Sequence, residues 1–177
     1  MLGRCSTRSR CLRFHGGVTE WPAAYLRRCL HGEPPAQEAR VAEWVTDETK
    51  GGEPGPRVPH LVGLASAGAV FEAPRIHELC ALVEDRWQRR GIGRMLVNEL
   101  FADARGNGAG LIRLELCRSQ PGLLAYVPEH GSVVSTRSAG CDVSVDIDVG
   151  AAAMMFKTVG TGLRDQSGAN PAAVRVR

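Results

Sequence analysis

The most informative segment of this sequence is Gln88-Arg89-Arg90-Gly91-Ile92-Gly93-Arg94. It follows an apolar run, 76–83, that is short enough for a buried strand, and it precedes a segment, 95–101, whose apolar residues recur at helical spacing. The local prediction is a strand, a glycine-bearing loop and a helix. Because Gly91 and Gly93 lack a Cβ atom, a ligand can approach their backbone closely, and the unpaired amides of a first helical turn favour an anion. The sequence therefore predicts a phosphate-binding loop.

The loop lacks the patterns of two common phosphate sites. A dinucleotide fingerprint requires G-x-G-x-x-G and a Walker loop requires G-x-x-x-x-G-K-S/T, and neither is present. The segment resembles instead the Q/R-x-x-G-x-G/A signature of the GNAT superfamily of N-acetyltransferases, whose loop amides hold the pyrophosphate of acetyl-CoA. Residues 78–88 resemble the strand and turn before that loop in bacterial protein-lysine acetyltransferases. The resemblance implies an α/β (α+β) fold with a GNAT-like mixed, mostly antiparallel central sheet flanked by helices.

A second match lies near the N-terminus. Ser6, Ser9, Arg13 and Phe14 match the S-x-x-S-x-x-x-R-F element in the first helix of the same acetyltransferase subgroup. In that family a β-strand precedes this helix, whereas only a few residues precede it here, so either the given sequence begins late or the first strand is absent. The next strand would then present an unpaired edge, which leaves association with another chain, including homo-oligomerisation, open.

The remaining pattern completes one domain. Thr19 is predicted to cap a second helix, with Pro22 at an early helical position. The other predicted elements are strands at 39–45, 60–65 and 111–116, a loop at 50–56, a short helix at 121–130, and a hairpin that pairs 133–134 with 143–149. The pattern weakens after Gly150, so residues 1–150 are predicted to form the acetyltransferase domain and 151–177 a weakly structured C-terminal tail.

Composition and charge narrow the class of protein. The chain has 177 residues, 44% of them hydrophobic, and no apolar run long enough to cross a membrane or to form a signal peptide, so a cytoplasmic protein is expected. A net charge of +3 is too small to predict a nucleic-acid partner. The six cysteines show no metal-ligand spacing, so reduced thiols and no metal are expected, with Cys80 and Cys117 in the core.

Acetyl transfer to an amine requires a cradle for CoA, polarisation of the thioester carbonyl, removal of a proton from the ammonium, and a proton for the leaving thiolate. The resemblance implies that a bulge splays the strand open at Leu82 and Val83, whose backbone meets the pantetheine arm and the acetyl carbonyl. The predicted contacts to acetyl-CoA, the co-substrate, are Leu82, Val83, Gln88, Arg89, Arg90, Gly91, Ile92, Gly93 and Arg94.

Two residues are predicted to be catalytic. Glu78 lies ten residues before Gln88, where the resemblance places a general base; the alternative is an edge residue that faces water. The family's acid is a tyrosine at the position of Val127, and Tyr126 is one residue away, a rotation of about 100° on a helix. Tyr126 or a water molecule is therefore the predicted acid. Asp142, Asp146 and Asp148 predict an exposed charged strand face, with attraction of a lysine-bearing substrate as the alternative.

The sequence thus predicts an N-acetyltransferase that transfers the acetyl group of acetyl-CoA to a primary amine, foremost a protein lysine. A small-molecule amine is the second acceptor class. A catalytically weak CoA-binding regulatory module is the third hypothesis, because the first strand is missing and the segment around Tyr126 departs from the family pattern.

Overall fold

The computed structural model describes residues 1–31, 37–50, 53–117, 129–150 and 174–176. Its helices are α1 (Thr7–Phe14), α2 (Ala23–His31) and α3 (Ile92–Gly106). Its strands are β1 (Gln37–Lys50), β2 (Glu53–Val70), β3 (Ala73–Val83), β4 (Leu111–Cys117), β5 (Ser132–Ala139), β6 (Asp142–Asp148) and β7 (Val174–Val176). Short 3-10 turns lie at Leu2–Arg4 and Asp85–Trp87.

The strands of the described residues form one sheet in the order β5-β6-β4-β3-β2-β1-β7. Only the central pair, β3 and β4, is parallel, and every other neighbouring pair is antiparallel. Parallel neighbours need a crossover, and α3 supplies it here. The predicted mixed, mostly antiparallel sheet flanked by helices is confirmed, as are the predicted central strand, loop and helix.

The two faces of the sheet carry different helices. One face packs against α3, and the shared core includes Val62, Leu79, Ile92, Leu96, Leu100, Phe101, Ile112 and Ile147. The opposite face carries α1 and α2: Tyr25 Oη donates to Ser66 Oγ of β2 at 3.0 Å, and Phe14 packs against a small cluster that contains Leu82. Since successive strand residues point to opposite faces, Glu78 and Leu82 share the α1 face, while Leu79 lies under α3.

The edge of β1 is partly covered. No strand precedes α1 within residues 1–31, where a 3-10 turn stands at Leu2–Arg4. β7 instead pairs with β1, from Ala42 opposite Val176 to Trp44 opposite Val174. The prediction of an open edge on this strand is therefore wrong over these three positions. Most of the predicted tail, 151–173 and 177, lies outside the described residues.

Helix α2 begins later than predicted. Thr19 is not its cap, because the helix starts at Ala23. The residue before a proline avoids helical dihedral angles, so Trp21 cannot readily join a helix ahead of Pro22. Trp21 stacks instead on Tyr25, with ring centroids 5.9 Å apart. Pro22 favours the start of a helix at its own position, but it disfavours helical dihedral angles at the residue before it.

The predicted loop at 50–56 is also wrong in part, because β2 already begins at Glu53. Pro54 pairs with Thr49 of β1, whereas the pairing of β2 with β3 starts only at Gly63. This part of β2 therefore has one strand neighbour among the described residues. Proline is tolerated in such a strand where its missing N–H faces away from the ladder. The predicted helix at 121–130 lies mostly outside the described residues.

None of the cysteines, all of which are described, forms a disulfide. Within the part of the chain that the structure describes, no helix is long and apolar enough to cross a membrane.

Gly63 allows α3 to lie directly against β2. A Cβ atom built at Gly63 would stand 3.0 Å from Leu96 Cδ1, 3.2 Å from Ile92 Cγ2 and 3.3 Å from Ala42 Cβ. Those side chains are fully buried, so they have little room to move away.

We expect Gly63→Val to lower the free energy of unfolding by about 1–3 kcal/mol, because it overpacks this contact. Chemical denaturation measures the change. Gly106→Ala is the control, since no atom lies within 4 Å of the Cβ position at Gly106. Equal unfolding midpoints for Gly63→Val and the wild-type chain would contradict the close approach of α3.

Candidate active site

Strands β3 and β4 separate towards the end of β3, the strand that leads to the loop at 88–94. β3 and β4 pair from Ile76 opposite Leu111 to Leu79 opposite Leu114, and no pair follows. Beyond that point, within the described part of the chain, β3 pairs only with β2, and β4 only with β6. Backbone groups on the facing edges of 80–83 and 115–117 therefore lack a partner among the described strands. Leu82 and Val83 lie in this opening. Their pairing with β2 has no register shift, so the expected bulge is not found at these two residues, and the opening arises where the pairing of β3 with β4 ends.

The predicted phosphate loop leads into the N-terminus of α3. Gly91 is the N-cap, with a left-handed φ of 81°, and it offers no capping side chain. Met95 N donates to Gly91 O at 3.0 Å, the first bond of the helix. The amides of Ile92, Gly93 and Arg94 thus have no acceptor within the helix. This arrangement suits an anion such as a phosphate.

Three arginines surround these amides, each in a different setting. Arg94 Nη2 lies 2.8 Å from Glu129 Oε2 in an exposed ion pair, which contributes little and can give way to a stronger anion. Arg90 stacks over the Trp87 ring at 5.1 Å. Arg89 is exposed, has a left-handed φ of 59° and forms no ion pair with the described residues.

Two of the predicted contact residues can offer only their backbone. The side chain of Ile92 is 1% exposed under β2, and that of Leu82 is 4% exposed beneath α1. Gly93 differs, because a Cβ atom there would make an ordinary contact of 3.7 Å with Val83 Cγ2. Packing therefore does not require glycine at position 93, whereas a ligand close to its amide does.

The side chain of Gln88 is already used within the protein. Its Nε2 donates to Val83 O at 3.0 Å and to Ser9 Oγ at 3.1 Å. Gln88 thus joins the start of the loop to the end of β3 and to helix α1. Its amide nitrogen holds the loop in place, so a hydrogen bond donated by Gln88 to a ligand must come from its backbone N–H.

A pocket of about 170 Å³ opens where β3 and β4 part. It is lined by Leu12, Arg13, His15, Glu78, Leu79, Cys80, Ala81, Glu115 and Leu116. Glu78 is exposed on β3 and lines this pocket, and its role as the general base stays a prediction. Glu115 of β4 accepts a hydrogen bond from Ser144 Oγ at 2.6 Å. The pocket therefore holds two carboxylates at the mouth of the opening.

A buried ion pair lies beside this pocket. Asp146 is 4% exposed and accepts from Arg113 Nε at 2.7 Å and from Arg137 Nη2 at 3.0 Å. The hydrogen bond from Arg113 is the main cause that lowers the pKa of Asp146. The predicted exposed face is thus wrong for Asp146, because pairing of β6 with β4 and β5 places it between two arginines.

Sequence reasoning missed several pocket residues. The strand pattern at 111–116 put Glu115 on the polar face of β4, but only the pairing of β4 with β3 brings it near Glu78. Cys80 is half-buried and lines the pocket, and Cys117 is half-buried too, so the prediction that both belong to the core is wrong. They lie beyond the last β3–β4 pair, where the sheet is open. Tyr126 lies outside the described residues, and its role as acid stays a prediction.

Comparison with known proteins agrees with this geometry. The model of the acetyltransferase (GNAT) family matches residues 18–130. The chain belongs to this family. The chain is therefore an acyl-CoA-dependent N-acetyltransferase, with acetyl-CoA as its co-substrate. No curated protein sequence matches it.

Among solved structures, the chain is similar to the GNAT domain of PAT from S. lividans, with a TM-score of 0.61 and 18% identity over 83% of this chain and 80% of that one. A GNAT-family acetyltransferase from Desulfovibrio desulfuricans gives a TM-score of 0.42 and 22% identity over 50% of this chain and 62% of that one. The likeness to the PAT domain establishes the fold and does not extend to its substrate.

We expect Gly93→Val to reduce the affinity for CoA by about tenfold or more, because the new side chain occupies the space in front of the open amides. Isothermal titration with CoA measures the affinity. Thermal unfolding is the control, and its midpoint should change little, since a Cβ atom fits against Val83. A folded Gly93→Val chain with wild-type affinity would place the CoA pyrophosphate elsewhere.

Proposed function

We propose that this acetyltransferase acetylates the side-chain amine of a lysine in a protein, with Glu78 as the general base. The observation that carries the proposal is the pocket lined by Glu78 and Glu115, which opens where β3 and β4 separate. A lysine is long, flexible and cationic, so its ammonium can reach the two carboxylates at the mouth of this opening. The proposed location, in line with this chemistry, is the cytoplasm.

CoA would occupy the opening in two parts. Its pyrophosphate would accept from the amides of Ile92, Gly93 and Arg94, with Arg89 adding charge. Its pantetheine arm would lie between 80–83 and 115–117, where the strands have no partner. The carbonyl of Val83 already accepts from Gln88, so hydrogen bonds to the arm would come from the other backbone groups of this opening.

Glu78 is suited to remove a proton from the acceptor. The ammonium of lysine must lose a proton before its nitrogen can attack, and the Glu78 carboxylate stands in the pocket with access to solvent. The neutral amine then bonds to the thioester carbonyl carbon, its nitrogen gives up a second proton to solvent, the C–S bond breaks, and CoA leaves as a thiolate. Tyr126 or water returns a proton to that thiolate.

Glu115 supplies a second negative charge. The nearby Arg113 is held by Asp146 with two hydrogen bonds, at 2.7 and 3.1 Å, and is not among the residues that line the pocket. Glu115 and Glu78 therefore give the pocket two carboxylates against the one guanidinium of Arg13. This electrostatic arrangement favours a protonated amine as the acceptor.

A second acceptor class is a small amine that also carries a carboxylate. The observation that favours it is Arg13, which lines the same pocket and packs over the rings of Phe14 at 4.7 Å and Tyr25 at 5.0 Å. Release of free thiol from acetyl-CoA, with a panel of lysine peptides and small amines, distinguishes the two classes. Faster turnover of lysine peptides supports the proposal, and saturation by one small amine alone contradicts it.

We expect Glu78→Gln to lower kcat by about 10²–10⁴-fold, because the amide cannot accept the ammonium proton. The KM for acetyl-CoA should stay unchanged. Glu72→Gln is the matched control, since Glu72 is exposed at the turn between β2 and β3. Steady-state thiol release with a lysine peptide gives both constants. Full activity in the folded Glu78→Gln chain would exclude Glu78 as the base.

Glu115→Gln should affect binding of the acceptor and spare the chemical step. We expect the acceptor KM to rise about two- to fivefold, the size of a solvent-exposed charge contact, while kcat changes little. The same thiol-release assay separates the two constants. A large fall in kcat with an unchanged KM would assign Glu115 a catalytic role instead of an attracting one.

A further inference from the structure

The start of helix α1 holds Asp85, which lies shortly before the phosphate loop. Asp85 accepts three hydrogen bonds from the start of α1: from Ser6 N at 2.7 Å, from Ser6 Oγ at 2.6 Å and from Ser9 Oγ at 2.9 Å. Burial alone raises the pKa of Asp85, but the bonds from Ser6 and Ser9 outweigh burial and leave that pKa below its ordinary value. The carboxylate also lies at the positive end of the α1 dipole. Asp85 is thus held as an anion.

Ser9 connects these hydrogen bonds to the loop itself. The residue is 8% exposed, and its hydroxyl donates to Asp85 and accepts from Gln88 Nε2 at 3.1 Å. The second hydrogen of the Gln88 amide goes to Val83 O. Arg89, the next residue, has a left-handed φ of 59°, which a non-glycine residue adopts only with support from its surroundings. The hydrogen bonds from Gln88 to Ser9 and Val83 supply this support directly before Arg89.

A second set of contacts, formed by Glu84, also holds the residues before the loop. Glu84 is 2% exposed and lies 2.8 Å from Arg4 Nε and 2.6 Å from Arg86 Nε. Arg4 also donates to Leu61 O of β2 at 2.9 Å. The chain is therefore fixed on the sheet side at Glu84 and on the helix side at Asp85, so little freedom remains at Gln88.

We propose that Ser6, Ser9 and Asp85 are positioning residues for the phosphate loop. They act through the Gln88 side chain and hold the first amides of α3 in the direction that a CoA pyrophosphate requires. They do not contact the ligand. The spacing of three residues places both serine hydroxyls on one side of α1, facing Asp85. This proposal rests on the CoA site given under Proposed function and assigns the supporting residues of that site.

Ser9→Ala tests the role, with CoA itself as the probe in calorimetry. We expect the affinity to fall about tenfold, because the change removes the hydrogen bonds of the Ser9 hydroxyl to Asp85 and Gln88, and loss of a buried hydrogen bond has an effect of this order. Ser9→Thr keeps the hydroxyl and should remain within about twofold of wild type. Thr7→Ala is the matched control, because Thr7 Oγ1 accepts from Arg10 on the exposed side of the same helix.

A double-mutant cycle shows whether Ser9 acts through Gln88. In a chain that carries Gln88→Ala, the further change Ser9→Ala should cause no additional loss of CoA affinity. Additive losses, or wild-type affinity in folded Ser9→Ala, would overturn the proposal. Asp85→Asn, which should weaken CoA binding in the same direction, serves if Ser9→Ala does not fold. A wild-type chain that fails to bind CoA would refute the proposed function itself, an outcome distinct from variants that bind normally.

Discussion

The pairing of β3 with β4 ends at Leu79, and the candidate site depends on the separation of the two strands beyond that residue. Backbone groups of a sheet interior normally pair, so two neighbouring strands that separate leave donors and acceptors facing a gap. In this chain the gap follows the end of that pairing on β3, the strand that leads into α3, whose first amides have no acceptor within the helix. The extended pantetheine arm of CoA can satisfy the strand edges, and the diphosphate of CoA can satisfy the helix.

Helix α1 belongs to both parts of the site. Its first residues hold Asp85 and Gln88 beside the loop, and its last residues, with His15, line the pocket that contains Glu78. His15 Nδ1 also lies 3.0 Å from Asp142 Oδ1, which fixes this end of the helix on β6. In the sequence element that matched the family in the first helix, the serines donate to Asp85 beside the loop at 88–94, while Arg13 and its neighbours line the pocket that contains Glu78.

Local patterns predicted the strand, loop and helix around Gly91 and the hairpin of β5 and β6, because both depend on contacts between residues close in sequence. The errors came from effects that a local pattern does not contain. Thr19 failed as a cap because Pro22 restricts the residue before it. Asp146 and Cys80 were misplaced because their surroundings come from strands distant in sequence, and β7 covers an edge more than 120 residues away from it. Glu115 was missed for the same reason, since only the pairing of β3 with β4 brings it to Glu78.

A crystal structure of this chain with CoA would test the central claim most directly. The account predicts that the pyrophosphate accepts hydrogen bonds from the amides of Ile92, Gly93 and Arg94, and that the pantetheine arm lies between β3 and β4 with its sulfur near Glu78. A structure in which CoA binds elsewhere, or in which β3 and β4 stay paired beyond Leu79 with no room for the arm, would contradict it.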